Sequence, residues 1–161
     1  MRLHAGRTTH DPYAARLSRL NPFAASSSTE LRTIAHSCTI VTCKSGAILA
    51  REGGASREFL VIGSGAALVT RDGVPDVVLR AGDSFGDADL LAKRESSAGL
   101  VALSDVELVV MSGGEFVALL DTAPSFRTRV VKALAERARA NDAAHEVDVT
   151  QRDLVEDPST G

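Results

Sequence analysis

GAILAREGGASREFLVIGSGAALVTRDG, residues 46–73, sets short apolar runs between glycine-bearing turns at EGG (52–54), GSG (63–65) and RDG (71–73). Runs of that length, separated by residues that accept turn geometry, read as β-strands rather than helices. Phe59, Leu60, Val61 and Ile62 form one run expected to be buried, Leu68 and Val69 a second, and Val77, Val78 and Leu79 a third. The pattern extends in both directions, from Thr39 to Met111, with further turn signals at KSG (44–46) and AGD (81–83). An antiparallel jelly roll is the economical way to bury all of these runs at once. The expected class is therefore mainly β with flanking α.

The flanks carry helical signals. Asp11 offers an N-cap and Pro12 a first helical position, with Tyr13, Leu17 and Leu20 following at helical spacing. Ser27 and Glu30 form a capping-box pattern ahead of Leu31, Ile34 and Ala35, predicting a second helix that ends near Ser37. After Met111, GGEFVALL turns helical, and Pro124 starts a long helix in which Phe126, Val130, Leu134 and Ala138 recur every fourth residue. That stripe could pack on the barrel or on a twin helix, and homodimerisation through residues 125–140 is the expectation drawn from it. Residues 1–10 read as a loose tail, 11–145 as one domain and 146–161 as an acidic, disordered tail.

A chain of 161 residues suits one core. Net charge is −3, with no basic excess of the kind a dedicated nucleic-acid binder carries. No apolar run reaches the roughly 18 residues that span a bilayer, and no hydrophobic stretch follows the N-terminal arginines, so a cytoplasmic, non-membrane protein is expected. Only sixteen residues follow 145, too few for a helix-turn-helix appendage, so direct DNA binding is not expected. Cys38 and Cys43 are too few for a disulfide framework and read as buried free thiols. Jelly rolls also host metal-dependent cupin enzymes, whose sites need several imidazoles on neighbouring strands. His4, His10, His36 and His145 all lie outside the strand region, and neither a Gly-x-Ser-x-Gly elbow nor a Walker loop is present. Asp105 and Glu107 alternate near a turn, the pattern of a solvated strand face rather than a catalytic pair. The chain is read as non-catalytic, with no metal.

Residues 82–98, GDSFGDADLLAKRESSA, carry the chemistry. A glycine ahead of a short helix lets the backbone approach a ligand, and the helix start leaves N–H groups without partners. A carboxylate beside that turn can accept from a sugar hydroxyl, and Ser96 and Ser97 can donate to phosphate oxygens. From Leu20 to Arg139 the chain resembles the cyclic-nucleotide-binding domain of catabolite-activator-type regulators, kinase regulatory subunits and gated channels. LNPFAASSSTEL, residues 46–73, FGDADLL and ALSDVELVVMSGGEFVALLDTAP carry the likeness. The family's phosphate-binding cassette reads approximately Phe-Gly-Glu-x-Ala-Leu, a loop, then Pro-Arg-(Ser/Ala)-Ala. The resemblance places Gly86 on the cassette glycine, Asp87 on the ribose-binding glutamate, Ala88 in the helix start and Ser97 and Ala98 on the two residues that close the cassette. It places Ser96 where the phosphate-binding arginine belongs, Glu95 where proline is usual, and Asp89 where a small apolar residue is usual.

Removing one partner of a buried charge pair costs about 2–5 kcal/mol. At about 1.4 kcal/mol per tenfold, affinity would fall by roughly 30- to 4,000-fold. Asp87 and Asp89 also compete for the positive potential that a phosphate would use. The expectation is a regulatory or interaction module with weak or no cyclic nucleotide binding and no cofactor. The alternative is a working cAMP or cGMP sensor in which Arg94, two residues before Ser96 and of the same strand parity, or Arg80 replaces the lost cation. Each site residue has a plainer reading beside this one: Asp87 as a helix-start carboxylate, Ser96 and Ser97 as locally satisfied hydroxyls, Arg94 and Arg80 as solvated loop side chains.

Overall fold

Helix α1 (Pro12–Leu17) starts on the proline that the sequence places at a first helical position. The computed structural model describes residues 12–155, so the expected tail at 1–10 lies outside the described residues. A 3-10 turn at Asn21–Phe23 leads to α2 (Ser28–Ser37), where the capping box forms as read: Ser27 accepts from the Glu30 N–H and Glu30 accepts from the Ser27 N–H.

Eight strands follow, β1 (Thr39–Cys43), β2 (Ile48–Ala50), β3 (Glu58–Ser64), β4 (Ala66–Arg71), β5 (Val74–Arg80), β6 (Ser84–Phe85), β7 (Gly99–Ala102) and β8 (Val106–Ser112), with α3 (Asp87–Ala92) between β6 and β7. They form two four-stranded sheets, β1-β8-β3-β6 and β2-β7-β4-β5. Every pairing is antiparallel. The core between the sheets comprises Leu60, Ile62, Ala67, Val69, Ala98, Leu100, Ala102, Val106 and Leu108. This is the expected jelly-roll arrangement of two facing sheets.

Strand β3 explains why FLVI is unbroken by polar residues. Leu60 and Ile62 enter the inter-sheet core, while Phe59 stacks on Phe116 with ring centroids 4.6 Å apart. A strand covered on both faces has no polar side to present. Phe126 meets both of those rings edge-on at 6.0 Å and stacks on Phe23 at 5.6 Å. Gly63 marks a register shift against β8, the bulge position that its lack of side chain suits. An ion pair from Arg16 to Glu107 ties α1 to β8.

Two expectations need correction. The run at Val77–Leu79 is not buried: β5 is an edge strand, Val77 is 48% exposed, and only Leu79 of the three packs against the core. Apolar β-branched residues suit any pleated surface, so the run could not report which side of the sheet was covered. The other concerns the end of the chain. After α4 (Gly113–Thr122), helix α5 runs from Pro124 to Val155, through most of the segment expected as a disordered tail from 146. Alanines and good helix formers fill 133–140, and no glycine or proline interrupts the chain from there to Val155, so nothing in the sequence stops the helix. The chain divides into two compact units, one up to Arg129 and one from Val130. Along the stripe read from the sequence, Phe126 and Val130 are buried, Leu134 is half-buried and Ala138 is exposed. Among the described residues no helix is long and apolar enough to cross a membrane.

Candidate ligand-binding site

Strand β6 ends in the tight turn that the cassette needs. Gly86 has φ +97°, and a Cβ there would stand 2.6 Å from the Glu58 carbonyl oxygen, so the position admits only glycine without rearrangement. Helix α3 follows at once and closes on Lys93 in the left-handed region, whose N–H reaches back to the Leu90 carbonyl. Asp87, Asp89 and Ser96 are the buried polar side chains among the described residues. All three belong to this one segment.

Ser96 does not face a ligand with its donor. Its hydroxyl donates to the Ala98 carbonyl at 2.7 Å, and its backbone is clamped to the β2–β3 loop: Ser96 N–H to Gly54 O at 2.9 Å and Gly53 N–H to Ser96 O at 2.8 Å. The plainer reading of Ser96, a locally satisfied hydroxyl, describes its bonding here. Asp87 accepts from the Ala88 N–H at 2.9 Å.

Asp89 gathers the local donors. One carboxylate oxygen accepts from Arg94 Nε at 2.6 Å, and the other from the Ser97 N–H at 2.9 Å and Ser97 Oγ at 3.1 Å. Burial pushes this carboxyl up, but the Ser97 N–H, the Arg94 guanidinium and the Ser97 hydroxyl together hold it below the usual carboxylate range. Ser97 is in turn approached by Arg71 Nη1, at 3.3 Å to its carbonyl and 3.4 Å to its hydroxyl, while Arg71 Nε pairs with Asp76 at 2.9 Å. Arg94 is thus engaged by a carboxylate of its own segment.

Beside the cassette lies a cavity of about 360 Å³. Gly86, Ser96, Leu60 and Phe85 line it from the strands and the turn, and Arg51, Arg57 and Glu58 from the β2–β3 loop and the start of β3. Its size is in the range of small-molecule sites. Of the residues singled out from the sequence, Gly86 and Ser96 border this space. Asp87, Ala88, Ser97, Arg94 and Arg80 do not. Among the described residues, neither the Arg51 nor the Arg57 side chain makes a hydrogen bond or ion pair. The sequence reading missed both arginines. The available signal was their position on either side of a Gly-Gly turn, but nothing local says that this turn is bonded to Ser96, 42 residues from Gly54. Among the described residues no group of three or more His, Cys, Asp or Glu side chains is placed to hold a metal ion.

Comparison with known proteins places this geometry. The family model described as the cyclic nucleotide-binding domain matches residues 40–123. No curated protein sequence matches the chain. Among solved structures, the chain is similar to the regulatory domain of Toxoplasma gondii PKA crystallised with cAMP, at 19% identity and TM-score 0.68, covering 80% of this chain and 49% of that one. It is similar to the Thermus thermophilus catabolite activator protein at 24% identity and TM-score 0.70, covering 81% and 63%. It is also similar to the regulatory subunit of a cAMP-independent protein kinase A from Trypanosoma brucei, at 18% identity and TM-score 0.68, covering 80% and 46%. The chain therefore spans between about half and under two thirds of the length of these structures. At these identities the likeness is one of fold.

Proposed function

Because the chain belongs to the cyclic nucleotide-binding domain family, we propose that it is a non-catalytic regulatory or interaction module whose cassette binds cyclic nucleotides weakly or not at all. The observation that carries this reading is Ser96: where the family pattern has an arginine, a buried neutral hydroxyl donates to the Ala98 carbonyl. A guanidinium offers charge and a two-pronged hydrogen bond to phosphate, and a hydroxyl offers neither. The neighbours support treating affinity as separate from the frame. One was crystallised with cAMP and another is the regulatory subunit of a kinase described as cAMP-independent, although both share the architecture. A module of this kind acts through a protein partner, and its output is a change in that contact.

Calorimetric titration with cyclic AMP and cyclic GMP tests the reading. The expected result is silence to millimolar concentration in the wild type and a gain of roughly 30-fold or more in Ser96→Arg. Micromolar binding by the unaltered chain would overturn it.

A second reading, a working cAMP or cGMP sensor, is favoured by the arginines at the cavity. Arg94 is occupied by Asp89, and Arg80 does not border the space, but Arg51 and Arg57 do. In a sensor built this way, Arg51→Gln and Arg57→Gln abolish a binding that Arg94→Ala leaves intact.

A further inference from the structure

We infer that Asp89 is a built-in counter-anion of the cassette: its carboxylate takes the donors that a ligand's phosphate would need, and so determines that the segment disfavours phosphate-bearing ligands. This deepens the reading above and rests on it, since it takes the loop from α3 to β7 as the anion-binding element.

The argument begins with donor inventory. Residues 93–98 offer an anion the Ser97 N–H, the Ser97 hydroxyl and the Arg94 guanidinium. Asp89 receives a bond from each, with Arg94 on one oxygen and Ser97 on the other. A carboxylate and a phosphate present the same acceptor chemistry to such donors, and charge assistance makes bonds to either strong. Asp89 is 5% exposed, so it is a buried part of α3 rather than a solvated side chain. Arg71, braced by Asp76, holds Ser97 from its other side. Ser96, the chain neighbour of Ser97, borders the cavity.

Two consequences oppose an incoming phosphate. It must displace a carboxylate that would be left buried and without partners, a costly arrangement. It must also approach a like charge at short range in a partly desolvated site. A small apolar residue at position 89 imposes neither cost. Loss of the arginine at 96 and gain of the aspartate at 89 are therefore separate obstacles, one removing a cation and the other supplying a competing anion.

Four proteins separate them: wild type, Asp89→Ala, Ser96→Arg and the double variant, each titrated calorimetrically with cyclic AMP after thermal unfolding confirms a folded chain. The double variant is expected to bind cyclic AMP about tenfold or more tightly than Ser96→Arg alone. In parallel, inorganic phosphate is titrated into wild type and Asp89→Ala while the Ser97 amide resonance is followed. That resonance is expected to move only where Asp89 is absent. If Asp89→Ala does not fold, Asp89→Asn replaces it in both arms, removing the charge while keeping an acceptor for Ser97. Equal cyclic AMP affinity with and without Asp89 in the Ser96→Arg background overturns the inference, as does a Ser97 amide that phosphate leaves unmoved in the Asp89 variant. Tight binding by the wild type, or no gain from Ser96→Arg, would instead count against the function proposed above, because the role of Asp89 is read only from each variant against its own parent.

Discussion

At Asp89, burial and hydrogen bonding pull one carboxyl in opposite directions, and the bonds from Ser97 and Arg94 win. Its folded pKa therefore lies below the value of about 3.9 that an aspartate has in an unfolded chain. The sign follows: the unfolded state takes up the proton first on acidification, so the stabilisation is complete above the ordinary aspartate value and is lost as pH falls through it to the lowered folded value. Urea midpoints measured from about pH 6 down to about pH 3 are expected to fall for the wild type and to fall less steeply for Asp89→Asn. An identical slope for both would show that Asp89 is not the linked group. Asp105 is also held low, by the Ser45 N–H and then by Lys44, but it is fully exposed and contributes little to such a slope. Cys38 is the opposite case: burial, with the charge of Glu115 adding to it, pushes the thiol up to about 12, so it stays protonated and serves as packing. At this scale the departures at 96 and 89 were legible only through the likeness to the family cassette. The bond between them and their surroundings was not, because it depends on the loop doubling back so that residue 97 meets residue 89.

Helix α4 shows how one element positions the site without touching a ligand. It begins where the Gly113 N–H donates to the Arg57 carbonyl at 2.8 Å, and a Cβ on Gly113 would stand 2.9 Å from Leu90 Cδ2 of α3. The β2–β3 loop is therefore held at Arg57 by α4 and at Gly53 and Gly54 by Ser96. This double attachment brings its arginines to the cavity. Phe116 anchors α4 against Phe59 of β3. Phe116→Ala is expected to destabilise the chain by about 3–5 kcal/mol, seen as a lowered melting temperature with a cooperative transition retained. A loss under about 1 kcal/mol would mean that the neighbouring rings close the gap. The element order was readable from turn signals and caps. The exposed edge at β5 was not, since strand periodicity reports the face of a residue only when one side is polar.

Across the whole molecule, the two sheets supply the frame and the segment from β6 to β7 carries the proposed site. The stripe on α5 carries a separate proposal, pairing of two copies through residues 125–140. Val131, 56% exposed, adds an apolar residue to that surface. Sedimentation equilibrium at high protein concentration is expected to show a dimer that Val131→Glu together with Leu134→Glu weakens. A monomer throughout would remove the proposal.

By itself the sequence determined the strand-rich frame, the helix starts at Pro12, Ser28 and Pro124, and the glycine turn at 86. These follow from period, capping chemistry and residue type, which act over a few neighbouring positions, whereas the missing arginine at 96 was legible only by resemblance to the family cassette. Only the tertiary structure decided that Arg51 and Arg57 border the cavity and that Arg94 is held by Asp89. Both are contacts between segments brought together by chain reversal, and spacing along a chain carries no record of where a reversal sets it down.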